Sequence, residues 1–228
     1  MSLYTAEKLN QIIESKAVYI FDFDGVIVDS FDIKRMAFCR MYEPYGKEIV
    51  NMVNDFHFFG EGGKSRTKKF KYFHKIFLKR DISSDELDLF CNEFSKLVKN
   101  LVINCEEIPG AYKFIEKSKI NNKKIFVNSA TPQNEMKEIV ESRSINQFFT
   151  DIYGSPNSKL KNLEDISCRY NLRLDDAIFF GDLMSDYYAA EVAGCDFVGI
   201  GERFDFDEIK KTSSINYAFI KNFEELLI

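Results

Sequence analysis

Histidine is scarce in this chain: among 228 residues there are two, His57 and His74. That scarcity nearly excludes a multi-histidine metal site and disfavours a histidine general base, so acid–base chemistry falls to carboxylates. His74 has Phe70, Phe73 and Phe77 at helical spacing around it and reads as a packing residue at the edge of an apolar face. Cysteine offers no paired site either. Cys39, Cys91, Cys105, Cys168 and Cys195 are odd in number and far apart, with no C-x-x-C pair for zinc or dithiol chemistry, and read as reduced, buried thiols. A basic surplus is also missing. With 31 Lys and Arg against 36 Asp and Glu the net charge is −5, which argues against nucleic acid or an anionic membrane as the main partner. No segment reaches the about 18 apolar residues that a membrane span needs, and the opening MSLYTAEKLNQIIESK has no secretory apolar stretch. A cytoplasmic protein is the expectation.

What is present suits a packed interior: 45% hydrophobic residues, 29% charged, and 23 phenylalanines. The length fits one sizeable domain, or a core domain carrying a smaller insert. Short apolar runs rich in β-branched and aromatic residues recur at 17–23, 124–128, 151–154, 177–181 and 197–201, with helix-like segments between the later ones. This alternation predicts an α/β fold whose parallel sheet is covered on both faces. Pro109 and Gly110 ahead of AYKFIEKSK mark one helix start, and MSDYYAAEVAG reads as a helix closed by Gly194. Between 31 and 105 the texture changes to helical spacing. Ile33, Met36, Ala37 and Met41 form one stripe, Ile49, Met52, Val53 and Phe56 a second, and Phe70, Phe73 and Phe77 a third. After Ser83, whose spacing to Glu86 suggests a capping box, Leu87, Phe90, Phe94, Leu97, Val98 and Leu101 form the longest. The expected division is an α/β core of 1–30 and 106–228 with a helical subdomain of 31–105 inserted.

In an open parallel sheet, ligands bind beyond the carboxyl ends of the strands, so polar residues at those ends carry the argument. Asp22 and Asp24 follow the first run, Ser129 the second, Lys159 lies in the loop after the third, and Asp182 and Asp186 follow the fourth. Carboxylates gathered in one crevice repel one another, by roughly 4 kcal/mol for a pair 4 Å apart at an effective dielectric near 20. A cation or proton has to relieve that. Oxygen ligands without histidine or thiolate favour a hard ion, and magnesium, which keeps several waters and is often completed by a substrate phosphate, fits best.

With DFDGV at 22–26, NSATP at 128–132, Lys159 in GSPNSK and GDLMSD at 181–186, the chain resembles the haloacid dehalogenase superfamily of phosphohydrolases, all four of whose motifs stand here in order. The resemblance covers almost the whole chain, since the insert at 31–105 matches the position of a helical C1 cap. It implies a Rossmann-like core, a Mg2+ cofactor and hydrolysis of a small phosphorylated metabolite, such as a sugar phosphate or phosphoglycolate. Under it Asp22 would be the nucleophile and Asp24 the acid–base residue. The metal would be held by the Asp22 side chain, the Asp24 carbonyl and Asp182, with Asp186 supporting the site. Ser129 and the Ala130 amide would bind phosphoryl oxygens, and Lys159 would balance charge. For Ser129 a rival reading is the N-cap of a helix opening at Thr131–Pro132.

The insert carries GEGGKSRTKK at 60–69. Its glycines permit a tight loop, from which Lys64 or Arg66 would contact the leaving group; a solvated basic helix start is the alternative. FDFDEIKK at 204–211 mimics the first motif but lacks its glycine, and reads as a surface helix start. Asp24 disfavours a dehalogenase. A phosphosugar mutase, a phosphonate-cleaving relative with a Schiff-base lysine, a receiver-type signalling module and a non-catalytic phosphate binder stay open as alternatives.

Overall fold

In a computed structural model, which describes residues 6–59, 63–204 and 206–227, the strands are β1 (Val18–Phe21), β2 (Lys124–Pro132), β3 (Asp151–Ser155), β4 (Ala177–Gly181), β5 (Asp196–Ile200) and β6 (Tyr217–Ile220). They form one sheet in the order β3-β2-β1-β4-β5-β6, and every pairing is parallel. A parallel sheet needs cover on both faces, and the strand side chains divide accordingly. Tyr19, Phe21, Ile125, Val127, Ile178 and Phe180 enter one apolar cluster, whereas Val18, Ile20, Phe126 and Phe179 enter the other. The first cover consists of α1 (Ala6–Ser15), α6 (Ala111–Ile120) and α7 (Gln133–Ser142); the second is built from α8 (Lys159–Tyr170), α9 (Met184–Ala193) and α10 (Phe206–Thr212).

Five expected runs are strands, with ends moved by a few residues, and β2 runs on through 128–132. β6 is an addition. Its four residues alternate between half-buried and buried, too short a pattern to stand out after a polar stretch. Gly194 closes α9 in the left-handed region at φ 76° as expected, and 206–212 is a short helix.

Between β1 and β2 lie α2 (Phe31–Tyr42), α3 (Lys47–Phe59), α4 (Arg66–Tyr72), which continues into a π-helical turn Phe73–Phe77, and α5 (Ser84–Asn104). Their buried faces meet around Phe38, whose ring centroid lies 4.1 Å from that of Phe94 and 5.3 Å from that of Phe70. The stripes are partly corrected: Met36, Met52 and Leu101 are exposed, and Phe31, Phe38, Tyr42 and Val102 take inward places. A stripe read at intervals of three and four leaves its rotation about the helix axis open by one position. Ser83 caps α5 by accepting from the Glu86 amide at 3.2 Å, but the Glu86 carboxylate turns to Arg80 instead of closing the box. His74 is fully buried, its Nδ1 2.9 Å from both Tyr42 Oη and the Phe70 carbonyl. All five cysteines are free thiols, but only Cys195 is buried and Cys168 is exposed.

Candidate active site

β1 delivers the chain to Asp22, whose amide donates to the Phe180 carbonyl of β4 at 2.9 Å. The backbone then doubles back, with the Gly25 amide donating to the Val28 carbonyl at 2.8 Å. Gly25 has φ +79°, and a Cβ there would come within 2.9 Å of Asp182 Cγ, so the turn and the neighbouring acid both require glycine. At the end of β4, a Cβ on Gly181 would lie 2.8 Å from Asp186 Cγ. The two glycines let the strand-end acids approach the backbone.

Asp22, Asp182 and Asp186 each place a carboxylate oxygen within 4.8 Å of the others, and all three residues are buried. Lys159, the first residue of α8, brings Nζ to 2.7 Å from Asp22 Oδ2 and also pairs with Asp186 Oδ1. Its helix start is tied to β2, because Asn128 Nδ2 donates to the Lys159 carbonyl at 2.9 Å. Asp186 Oδ2 accepts from the amides of Asp182 and Leu183, at 3.3 and 3.2 Å, so this first-turn acid serves its helix and the cluster at once. Arg203 Nη1 lies 2.8 Å from Asp182 Oδ2, while Asp182 Oδ1 is buried without a hydrogen-bond partner among the described residues.

Burial pushes the Asp22 carboxyl up to about 7; the Lys159 charge opposes the shift and the charges of Asp186 and Asp24 add to it. Asp182 is raised well above the usual range by burial first and then by Asp22 and Asp186. Crowded acids, an orphaned buried oxygen and a donor set made only of oxygens suit a hard divalent cation.

Asp24 is turned elsewhere. Its Oδ1 accepts from Ser30 Oγ at 2.6 Å, and its Oδ2 accepts from Lys34 Nζ and, at 3.3 Å, from Thr131 Oγ1. Burial acts to raise this carboxyl, but Lys34 outweighs it and the net shift is downward. The Asp24 side chain therefore stands outside the acidic triad, and only its carbonyl is left as a metal donor of the kind the sequence suggests. Ser129 is buried, and its Oγ accepts from the Thr131 amide at 3.2 Å. It is not a helix N-cap: β2 continues through Pro132, which itself precedes α7.

A cavity of about 70 Å³ opens above the carboxylates, between the strand ends and the inserted helices, and Ala130, Lys64 and Arg66 line it. Of the 60–69 loop, Gly60, Glu61 and Gly62 lie outside the described residues. The solvated alternative for its basic end is corrected, since Arg66 and Lys69 are both buried. The Arg66 guanidinium is engaged by the Glu135 carboxylate of α7, with Nη1 2.9 Å from Oε2 and Nη2 paired with Oε1.

Five residues of this neighbourhood are given no site role by the phosphohydrolase motifs: Lys34, His57, Lys69, Thr131 and Arg203. Arg203 follows the end of β5 and would have answered to the strand-end rule had the fifth strand been pursued. Thr131 sits inside the second motif. Lys34, His57 and Lys69 lie on α2, α3 and α4, where nothing local separates a lysine or histidine facing the cavity from one facing solvent.

Comparison with known proteins agrees with this geometry. Residues 19–200 match the model of the family described as haloacid dehalogenase-like hydrolase, and the chain belongs to that family. A search of curated proteins finds no significant match. Among solved structures, the fold is similar to a predicted phosphoglycolate phosphatase from Haemophilus somnus 129PT, at 17% identity and TM-score 0.70, covering 93% of this chain and 97% of that one. It is also similar to a beta-phosphoglucomutase from Clostridium difficile, at 20% identity and TM-score 0.72, with 92% and 93% covered. CbbY from Rhodobacter sphaeroides, solved in complex with phosphate, aligns at 14% identity and TM-score 0.70, with 92% and 96% covered. At such identities the likeness is one of fold. Among the described residues no helix is long and apolar enough to cross a membrane.

Proposed function

We propose that this hydrolase is a Mg2+-dependent phosphomonoesterase that cleaves a small phosphorylated metabolite through an aspartyl-phosphate on Asp22. The observation that carries the reading is the arrangement around Asp22, a buried carboxylate at a strand end that lines the cavity, 2.7 Å from the Lys159 ammonium and grouped with two further buried acids. In the first half-reaction an Asp22 oxygen bonds to phosphorus and the bond from phosphorus to the leaving oxygen breaks. Asp24 supplies the proton that the departing alkoxide takes. Ser30 and Lys34 fix this carboxyl, and the dianionic ester entering beside it favours its protonated form. In the second half-reaction Asp24 takes a proton from water, the water oxygen bonds to phosphorus, and the acyl-phosphate bond breaks to restore Asp22.

Asp22, Asp182 and the Asp24 carbonyl would hold Mg2+, with Asp186 behind them. Bound there, the ion supplies positive charge to the phosphoryl oxygens. Lys159 neutralises charge on Asp22 and phosphate, Ala130 on the cavity lining would offer its amide to the phosphoryl group, and Ser129 holds this end of β2 through the Thr131 amide. Residues 31–105 act as the cap over a core of 1–30 and 106–228, and the mixed lining of the cavity supports that division. The chemistry needs neither nucleic acid nor a membrane.

The test is release of inorganic phosphate from a panel of small phosphate esters, with Mg2+ and with a chelator, by the wild type and by Asp22→Asn. Turnover only with the metal and only with Asp22 is expected. Activity surviving Asp22→Asn would reject the covalent route, and an isomerised sugar phosphate in place of free phosphate would make the enzyme a mutase.

A further inference from the structure

The cavity wall opposite Asp22 contains a histidine that the reaction does not use. His57, on α3, lines the cavity and is 3% exposed. Its Nδ1 is 2.8 Å from the Val53 carbonyl, a contact in which the ring nitrogen must donate. The other nitrogen, Nε2, is then a bare lone pair, and it is buried with no partner among the described residues. Burial, reinforced by the nearby Lys69 charge, drives the imidazole down to about 3, so the ring is neutral at neutral pH and Nε2 can only accept.

Lys69, from α4, reaches the same cavity while 6% exposed. It makes no ion pair among the described residues; its Nζ lies 4.8 Å from the centre of the Phe38 ring. The His57 ring is also 4.8 Å from the Phe38 ring. An acceptor without a donor and a donor without an anion, among the described residues, thus share one aromatic support, with Phe31 and Phe94 lining the rest of that wall. A buried polar atom left unpaired costs about 1–3 kcal/mol. Helices that position two such groups on an enclosed wall are complementary to something that enters it.

We infer that this wall recognises a hydroxylated leaving group, in which an alcohol O–H donates to His57 Nε2, oxygen lone pairs accept from Lys69 Nζ, and the carbon chain lies on the phenylalanine faces. The substrate class is a phosphate monoester of a short polyol or hydroxy acid. A hydroxyl oxygen is donor and acceptor at once, which neither an alkyl chain nor a carboxylate alone can be. The inference rests on the phosphomonoesterase reading, because it places the ester oxygen at Asp22.

Two readouts with one matched pair of esters test it. Glycerol phosphate and propyl phosphate share a carbon skeleton and differ in hydroxyls. Wild-type kcat/KM is expected to favour glycerol phosphate by at least about tenfold, and the ratio should fall toward one in His57→Phe and in Lys69→Met. A ratio that both variants leave unchanged overturns the inference. Because those variants alter a buried wall, the second readout keeps His57 in place. With 15N-labelled histidine in Asp22→Asn protein, which retains the ester, the two histidines give few resonances, and Nε2 of His57 should shift with glycerol phosphate and not with propyl phosphate. Equal shifts with both esters, or none with glycerol phosphate, overturn the proposal. If wild type hydrolyses neither ester while Nε2 still discriminates them, the phosphatase reading fails and the hydroxyl site stands; hydrolysis of both without discrimination gives the reverse.

Discussion

On the sheet side of the cavity, opposite charges lie beside one another. Lys159 sits between Asp22 and Asp186, Arg203 meets Asp182, and Lys34 meets Asp24. On the helical side, aromatic rings carry polar atoms that the described residues leave without partners, His57 Nε2 foremost. The first wall is a crowded, mutually repelling cluster whose folding cost an ion or phosphate can offset. The second is an aromatic layer that supports the two polar groups inferred to meet the leaving group. Substitutions on the sheet side should therefore remove turnover with little loss of stability, and substitutions of the rings on the helical side should cost stability and change which ester is preferred, not whether phosphate is released.

Phe38→Ala is the strongest attempt to break that contrast. Phe38 is 2% exposed and lies against Phe94, Phe70, His57 and the Lys69 ammonium. Truncating a ring so placed costs about 3–5 kcal/mol, visible as a lowered urea midpoint. A loss below about 1 kcal/mol would mean that the helical wall is loosely packed and cannot hold His57 and Lys69 in place.

Asp182→Asn probes the other wall, with a somewhat smaller effect in a different quantity. Loss of a metal oxygen should lower Mg2+-dependent turnover by at least about a hundredfold, near 2.7 kcal/mol at 1.36 kcal/mol per decade. In chelator, however, the variant should melt no lower than wild type, because one of three crowded acids has become neutral while the amide oxygen, placed where Asp182 Oδ2 lay, accepts from Arg203. Adding Mg2+ should raise the melting temperature of the wild type far more than that of the variant. Equal stabilisation of both would remove the metal from this triad.

The two walls were unequally legible for a physical reason. A strand end fixes where the next residues point, so Asp22, Asp182 and Lys159 could be placed from short motifs, and glycines such as Gly25 marked where backbone and acid approach. The parallel sheet followed from apolar runs bounded by turns, apart from β6, whose alternation is too brief to register. The helical wall depends on rotation about each helix axis and on contacts between helices distant in sequence. Met36 belongs to the apolar stripe of α2 yet is 61% exposed, and Lys69, a charge in a basic run, is buried. Nothing within a few residues of either reveals it. His57 escaped for the same reason, since its meaning lies in the Val53 carbonyl four residues back and the cavity beyond its other nitrogen.

The smallest effect sharpens the contrast through pH. The folded His57 imidazole is depressed to about 3, against about 6.5 for an ordinary histidine. At pH 7 both folded and unfolded chains hold it neutral, and it contributes its full share of stability. Below about 6.5 the unfolded chain binds a proton that the folded chain refuses, so stability falls by about 1.4 kcal/mol per pH unit until the folded group itself titrates. Among the described residues the charges of Lys69 and Arg35 act on the ring in that direction, and no carboxylate there opposes them. Buried His74 is depressed as well, so the comparison has to be differential. Between pH 7 and pH 5, His57→Phe should lose about 2 kcal/mol less than wild type in urea unfolding, while His74 keeps its contribution in both proteins. Identical losses would show that the ring titrates in the folded chain as it does in the unfolded one, so that Nε2 is open to water and is not the buried, unpartnered acceptor on which the hydroxyl site rests.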